Sequence, residues 1–340
     1  MPLSVNVPGM NICLFFLLVS IFYQACSDQV NYQDCGKLSA SARILFGKDV
    51  QREEQPWMVS VISMYVVTSN RTHNVYCGGT LITSRFVLTA ARCVTRNHYH
   101  GSKVYVHHEG VHLEEKPYIK ARDVIVHPNY EWKTRKHNVA LLRLAKRLEK
   151  GPKSLPVCLM DKKTALLNKK VTVVGWGPSH GPRRLRSLEE KIIPFTNCSK
   201  AIKFLQDPTV FSNSTLICTA GKGKGTCLGD GGGPVLIVEK GRATQVGVIS
   251  FPLSCKPSLT MPSAHARVDY YFEWIKDVLS YFSRYHRLGK GMNPRKNDTA
   301  PSLPKPPPGK PNRPQELPPP PQNGDIGHLP NFTDPEPIRG

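Results

Sequence analysis

Attack on a carbonyl carbon needs a nucleophile, a base that takes its proton and an acid that orients the base. Three segments of the chain combine cysteines, glycines or short apolar runs: residues 77–93, 137–142 and 226–234. They contain Arg92, Asn138 and Gly231. An arginine stays protonated at physiological pH because its pKa exceeds about 12. An asparagine carries no charge and a glycine carries no nucleophile, so these residues supply none of the three functions.

Neighbouring histidines are an alternative source of a base. His137 precedes Asn138, and His98 and His100 follow Arg92. Adjacent residues of an extended segment point to opposite faces. We therefore expect these histidines to lie in solvent-facing loops rather than to replace the base.

The three segments resemble the catalytic segments of the chymotrypsin/trypsin-like serine proteases, where the same positions hold His, Asp and Ser. The resemblance covers residues 35–283 and extends to Gly175-Trp176-Gly177, the cysteines and a terminal helical pattern. It implies an all-β fold of two six-stranded antiparallel β-barrels with a C-terminal helix. The sequence Cys77-Gly-Gly-Thr-Leu-Ile, together with the lack of a fifth disulfide, is most similar to that of insect-type secreted homologues.

The resemblance implies the fold, while the residues at the three positions imply that the chemistry is missing. In this enzyme class, loss of the triad lowers turnover on the order of 10⁶-fold. We therefore expect a catalytically inactive homologue that acts by binding, as a regulator or decoy in an extracellular protease cascade. Its partners would be proteases, inhibitors or cascade substrates. A glycan- or surface-binding protein stays open as an alternative, and a protease with residual activity ranks last.

The location of the Arg92 side chain can be predicted from its charge. A buried guanidinium without a partner is destabilising by several kcal/mol. The aspartate that the family buries next to this position is Asn138 here. We therefore expect Arg92 to swing outward and to plug or charge the mouth of the cleft.

The resemblance also implies which backbone parts of the site are kept. Gly229 and Asp230 match the oxyanion loop. Arg43-Ile44 matches the site at which the family's zymogens are cut, although Phe46 stands where a glycine is usual. We expect processing at Arg43, with an unused remnant site as the alternative.

The family's specificity pocket is altered in several places. Gly225 stands where an acid would select Lys or Arg, and Pro252 replaces a glycine whose N–H meets the substrate backbone. Ser263 and His265 replace a glycine and an aromatic residue in the last pocket wall. We expect that substrate binding has weakened along with the chemistry.

Charge favours an anionic partner. Lys and Arg number 46 against 25 acidic residues, a net charge of +21. Basic clusters at residues 133–136, 143–153 and 183–186 are candidates to bind sulfated glycans, with solvated loop faces as the competing interpretation. We expect no nucleic-acid partner, no cofactor and no metal.

The N-terminus and the cysteines indicate secretion. Residues 12–23 form an apolar run that is too short to span a bilayer, which needs roughly 20 residues, and small residues follow it. We predict a signal peptide at residues 1–27 and no transmembrane segment. Its removal leaves eight of the ten cysteines, an even set that suits disulfides. The family resemblance proposes the pairs Cys35–Cys158, Cys77–Cys93, Cys198–Cys218 and Cys227–Cys255.

The remaining chain divides by composition. Residues 28–43 form a propeptide or light-chain segment, and residues 44–283 form the protease-like domain. Half of the 30 prolines follow Met292, so we predict a disordered Pro-rich tail at residues 284–340. Sequons make four asparagines candidates for glycosylation: Asn70, Asn213, Asn297 and Asn331.

Overall fold

A computed structural model gives the structure of the chain, and the residues it describes are 29–38, 49–68, 71–96, 99–100, 103–113, 117–177, 184–202, 212–221, 226–251 and 262–288. The predicted signal peptide and most of the predicted tail lie outside these ranges. The strands coincide with the short runs of Val, Ile, Leu and aromatic residues, which fit a pleated and half-buried surface. Among the helices of the described ranges, none is both long and apolar enough to cross a bilayer.

The first half of the described chain forms strands β1 (Met58–Thr68), β2 (Arg71–Leu81), β3 (Phe86–Thr89), β4 (Thr95–Arg96), β5 (Tyr99–His100), β6 (Lys103–His107), β7 (Ile119–Val126) and β8 (Ala140–Leu144). Six of them close an antiparallel barrel in the order β1-β2-β3-β8-β7-β6, and β4 pairs with β5 in a separate hairpin. The barrel closes where Ser60 of β1 pairs with His107 of β6. Side chains such as Val61, Leu88 and Leu142 are fully buried in its core.

The second half forms β9 (Cys158–Leu159), β10 (Lys170–Gly175), β11 (Arg186–Ile193), β12 (Leu216–Ala220), β13 (Pro234–Glu239), β14 (Arg242–Phe251) and β15 (Ser263–Arg267). The strands β10-β11-β12-β15-β14-β13 form a closed antiparallel ring, because β13 pairs with both β10 and β14. Strand β9 adds to β14 in parallel. The predicted fold of two six-stranded barrels is therefore confirmed.

Two α-helices are described, α1 (Phe195–Ile202) and α2 (Val268–Leu288). The apolar pattern predicted the second of them over a shorter span, residues 270–282. Trp274, Ile275 and Val278 of α2 belong to the same buried cluster as the core of the first barrel. Phe282 lies 5.8 Å from Phe86 between ring centroids. The end of the domain is thus tied back to the barrel with which it began.

Three predicted disulfides are present: Cys35–Cys158, Cys77–Cys93 and Cys198–Cys218. Cys227 is also disulfide-bonded, and its predicted partner Cys255 lies outside the described residues. The Cys35–Cys158 bond ties the segment before the first barrel to β9. A disulfide bond that closes a loop lowers the entropy of the unfolded chain, which stabilises a fold by about 2–4 kcal/mol per bond.

A cluster of rings joins α2 to the first barrel. His127 stacks on His137 with ring centroids 5.0 Å apart and contacts Tyr271 and Trp274. The prediction that His137 faces solvent is wrong, because its ring is half-buried between His127 and Tyr270. Burial, and then the nearby His137, lowers the pKa of His127 to about 3, and burial also lowers the pKa of His137.

This cluster predicts destabilisation by acid. The pKa of His127 is lower in the folded chain than the value near 6.5 of an exposed histidine, so its contribution is complete above pH 6.5 and declines as pH falls toward 3. The unfolding free energy of the wild type should fall between pH 7 and pH 5. We expect His127→Phe to make that fall smaller by about 1–2 kcal/mol, measured by urea unfolding. The exposed His73→Phe is the matched control. An unchanged slope of stability against pH in His127→Phe contradicts the prediction.

Candidate functional site

The fold brings the three central positions together. Strand β3 runs into a 3₁₀ turn, Ala91–Cys93, that carries Arg92. Thr89 of β3 pairs with Ala140 of β8, which places Asn138 beside that turn. Gly231 follows the 3₁₀ turn Leu228–Asp230 of the second barrel.

A backbone contact holds the two barrels together at this point. The N–H of Gly78 in β2 donates to the carbonyl of Gly231 at 2.8 Å. A Cβ on Gly78 would lie 2.9 Å from the Gly233 nitrogen, closer than real Cβ atoms come. Gly232 has φ +85°, in the left-handed region that favours glycine. The loop can approach β2 only because these positions lack side chains.

Arg92 points into the site. Its backbone N–H donates to Asn138 Oδ1 at 2.9 Å. Its guanidinium lies over Gly231, where a Cβ would be 2.6 Å from Cζ and would overlap Nη2. The expectation that Arg92 turns outward is therefore wrong. The missing side chain of Gly231 leaves the space that the guanidinium fills.

The guanidinium is only partly satisfied. Arg92 as a residue is partly exposed, but its Nε and Nη2 atoms are buried and have no hydrogen-bond partner. Burial first, and then the charge of Arg135, lowers the pKa of Arg92 to about 10. At that pKa the group is still protonated at physiological pH, so it is a fixed positive charge and not a base.

Asn138 keeps a structural contact and adds a second unsatisfied donor. The residue is 1% exposed. Its Oδ1 accepts from the Arg92 backbone, which leaves Nδ2 as a buried donor without a partner. An aspartate at this position would accept hydrogen bonds at both carboxylate oxygens. It would also place a negative charge beside the Arg92 guanidinium.

Asp230 is the buried acid of the oxyanion loop. Its Oδ1 accepts from the Gly177 N–H at 2.6 Å and its Oδ2 accepts from the Cys227 N–H at 2.7 Å. Burial raises the pKa of Asp230, while these backbone donors and the more distant charge of Arg92 oppose the rise. A Cβ on Gly175 would lie 2.7 Å from the Asp230 carboxyl carbon, so this glycine makes room for the carboxylate.

The oxyanion loop is closed by a backbone contact. The Asp230 N–H donates to the Cys227 carbonyl at 2.9 Å, in the 3₁₀ turn that ends at Gly231. A Cβ on Gly229 would overlap the Gly177 carbonyl oxygen, which explains why this position is glycine.

A buried polar network fills the base of the second barrel. The Thr226 hydroxyl donates to Ser263 Oγ at 2.7 Å. His265 is fully buried and its Nε2 lies 2.7 Å from Thr219 Oγ1, while its Nδ1 has no partner. Thr219 also hydrogen-bonds the carboxylate of Glu190. The residues that the sequence assigned to the altered pocket wall thus belong to this network.

Sequence reasoning missed Glu190 and Thr219. The spacing in β11 could have indicated Glu190, because residues 190 and 192 lie on the same face of an extended strand. In the structure both Glu190 and Ile192 are buried. Burial raises the pKa of Glu190 to about 7, and the charge of Asp230 adds to the rise. Burial lowers the pKa of His265 to about 3, so this histidine is neutral at physiological pH.

Several predicted residues cannot be placed. Gly225, Pro252, Arg43 and Ile44 lie outside the described residues, as do the sequons at Asn70, Asn297 and Asn331. Asn213 is described and is exposed in the turn before β12, where a glycan has room. The described residues contain no group of His, Cys, Asp or Glu side chains that is arranged to hold a metal ion.

Comparison with known families decides the class of this fold. The model of the family described as Trypsin matches residues 44–275. The chain belongs to the trypsin family. The match spans both barrels and the first part of α2, so the three central positions of the site lie within it.

Curated relatives are similar at 27 to 30% identity. Serine proteinase stubble of Drosophila melanogaster is 30% identical over 68% of this chain and 30% of its own length. Clotting factor G beta subunit of Tachypleus tridentatus is 28% identical over 73% of this chain and 84% of its own length. Protein masquerade of Drosophila melanogaster is 27% identical over 70% of this chain. This chain spans less than a third of the length of stubble and of masquerade.

Solved structures share the architecture. HL collagenase matches with a TM-score of 0.58 and 24% identity, over 68% of this chain and 97% of its own. The structure of GrC matches with a TM-score of 0.56 and 22% identity, over 69% of this chain and 100% of its own. At these identities the likeness concerns the fold alone.

The polar network predicts a gain of stability from a single substitution. The folded pKa of Glu190, about 7, lies above the value of an exposed glutamate, so its contribution is most favourable below pH 4.5 and is lost as pH rises through 7. We expect Glu190→Gln to raise the unfolding free energy at pH 8 by about 1–3 kcal/mol and to flatten its change between pH 5 and pH 8. Glu189→Gln, next in sequence but paired with Lys170 at 3.3 Å near the surface, is the control. Equal effects of the two variants on thermal or urea unfolding at pH 8 contradict the prediction.

Proposed function

We propose that this member of the trypsin family is secreted, catalytically inactive and acts by binding, as a regulator or decoy in an extracellular protease cascade. One observation carries the proposal. The position of the family's nucleophile is Gly231, and the guanidinium of Arg92 fills the space above it. The site therefore has no hydroxyl to attack a carbonyl and no base to take its proton.

The remaining groups do not restore the chemistry. His137, the histidine nearest in sequence to the site, packs on α2, where its Nδ1 lies 3.3 Å from the Tyr271 hydroxyl. His265 is fully buried in the second barrel. An oxyanion loop does not replace the missing groups, because without a nucleophile oxyanion donors and binding give only about 10³- to 10⁴-fold acceleration over water.

The cascade role is supported by the kind of relatives the chain has. A clotting factor subunit is 28% identical over 84% of its own length. The disulfide bonds suit an oxidising compartment. A protease-shaped surface without turnover can engage a protease, an inhibitor or a cascade substrate and withhold it from active enzymes.

The proposal predicts that the purified protein is silent toward a serine-directed probe. We expect no covalent labelling by a fluorophosphonate and no turnover of a broad peptide library, before and after limited trypsin treatment, because Gly231 has no side-chain oxygen. We also expect Gly231→Ser alone to stay unlabelled, because Arg92 cannot take the serine proton. Active trypsin is the positive control. Stoichiometric labelling of the wild type, unaffected by substitution of Arg92 or Gly231, would mean a relocated nucleophile and would overturn the proposal.

A second candidate function, binding of sulfated glycans, has one specific observation in its favour. An open groove of about 470 Å³ is lined by lysine and arginine side chains together with two glutamates. Lys146 and Lys150 on its wall are exposed, and the Lys150 ammonium lies 4.1 Å from the centroid of the Tyr32 ring. Such a groove suits a linear anionic chain.

Three arginines of the predicted basic clusters are less available. Arg143 is buried, pairs with Asp123 and packs on the Phe282 ring, so it belongs to the fold and not to a basic face. Arg184 and Arg186 both pair with Asp49, at 3.5 Å and 3.2 Å. These ion pairs lower the local charge that an anion would meet.

The groove predicts a salt-dependent interaction with heparin. We expect the triple variant Lys146→Gln, Lys150→Gln, Lys153→Gln to bind heparin roughly tenfold or more weakly at 0.15 M salt, because each lost cation removes a charge-assisted contact. The exposed triple Lys120→Gln, Lys191→Gln, Lys240→Gln has the same net charge and is the control. Affinity is measured by surface plasmon resonance over a series of salt concentrations. Equal weakening in the two triples would show that net charge, and not the groove, is responsible.

A further inference from the structure

The centre of the site contains hydrogen-bond donors that lack acceptors. Arg92 contributes Nε and Nη2, and Asn138 contributes Nδ2, all of them buried. Gly231, below the guanidinium, carries no side chain that could accept from these donors. Arg92 links these groups, because its backbone bonds Asn138 while its guanidinium lies over Gly231.

Other buried arginines of this fold show that such a deficit is not general. Arg52 is 4% exposed, and its guanidinium donates to the carbonyl oxygens of His108, Gln55 and Pro56. Arg143 pairs with a carboxylate. The Arg92 guanidinium is the contrasting case within the described residues, a charge whose buried N–H groups meet neither a carbonyl nor a carboxylate.

The acids of the neighbourhood do not supply the missing acceptor. Asp230 is engaged by the N–H groups of Gly177 and Cys227. Glu190 is engaged by Thr219 deeper in the second barrel. Asn138 Oδ1 is engaged by the Arg92 backbone. A buried donor without a partner destabilises a fold by about as much as a charge-assisted bond would stabilise it, so these donors favour an incoming anion.

We propose that the former catalytic centre is a carboxylate-binding site, in which the guanidinium of Arg92 receives an acidic group of a bound peptide. This rests on the proposed function and names the chemistry of the partner. The carboxylate is either an Asp or Glu side chain or a free C-terminus. Binding draws the guanidinium from the space over Gly231 toward the anion, and no covalent step is involved.

Carboxylate is favoured over phosphate or sulfate by the shape of the donor set. A guanidinium presents parallel N–H groups that match the two oxygens of a carboxylate. A peptide that docks in a protease-shaped cleft would bring its carboxylate groups to this site.

The test uses small probes and the full secreted protein. Three compounds are titrated at pH 7: N-acetylglycine for a C-terminal carboxylate, N-acetylglutamic acid α-amide for a side-chain carboxylate, and N-acetylglutamine amide as the neutral control. Binding is followed by the ¹⁵N–¹H resonance of Arg92 Nε, assigned by its loss in Arg92→Lys. We expect a saturable shift with one or both carboxylate probes and affinity at least roughly tenfold weaker for the neutral one. Whichever carboxylate probe binds more tightly identifies the source.

Matched variants separate this site from general charge. Arg92→Gln should abolish binding of the carboxylate probes by isothermal titration calorimetry, while Arg147→Gln, which loses the same charge in the basic groove, should leave their affinity unchanged. Gly231→Ala keeps every charge but displaces the guanidinium, so it should alter affinity without loss of fold by circular dichroism. Equal binding in wild type and Arg92→Gln, or equal loss in Arg147→Gln, overturns the proposal. A negative result here leaves fluorophosphonate silence intact, so the two proposals fail separately.

Discussion

The contact between β2 and the loop at Gly231 is the constraint on which the site depends. A single hydrogen bond, from the Gly78 N–H to the Gly231 carbonyl, joins the wall of one barrel to the loop of the other. It forms only because Gly78 and Gly232 let two backbones approach without Cβ atoms between them. The 3₁₀ turn that precedes Gly231 buries Asp230, whose carboxylate then fixes Gly177 and Cys227. A side chain at Gly78 or Gly232 would separate the loop from β2. The buried carboxylate of Asp230 and the space that the Arg92 guanidinium fills would be displaced together with the loop.

Electrostatics link the site to the base of the second barrel. Burial raises the pKa of both Asp230 and Glu190; the charge of Arg92 opposes the rise at Asp230, and the charge of Asp230 adds to the rise at Glu190. Glu190 in turn shares a hydroxyl with His265, which burial keeps neutral. A change of charge at Arg92 is therefore felt at Asp230 first and more weakly beyond it. An anion bound at Arg92 would offset the cation that now favours the ionised form of Asp230.

Much of this fold was readable from the sequence because it depends on local signals. The cysteines fixed three bridges once the family pairing was applied, and the apolar spacing of residues 270–282 located α2 to within a few residues at each end. The direction of Arg92 was not readable, because it depends on space that Gly231 leaves open 139 positions further along the chain. Glu190 was missed because an acid in a strand is usually solvated, and only the packed barrel shows it facing Thr219. Arg143 was assigned to a basic face for the same reason, although its partner Asp123 lies on the adjacent strand.

The persistence of the oxyanion loop therefore carries little weight as a sign of catalysis. Gly175, Gly229 and Gly232 are each required by a close backbone or carboxylate contact that exists whether or not a substrate is turned over. Replacing Gly232 would disturb the join between the barrels, and replacing Gly175 or Gly229 would disturb the loop that carries Asp230. The residues at 92, 138 and 231 instead contact one another, because the Arg92 guanidinium lies over Gly231 and the Arg92 N–H donates to Asn138 Oδ1. A protease frame can thus keep its shape and its buried acid whichever residues stand at positions 92, 138 and 231. In the function proposed above, the fixed cation of Arg92 in this cleft would hold an acidic group of a partner.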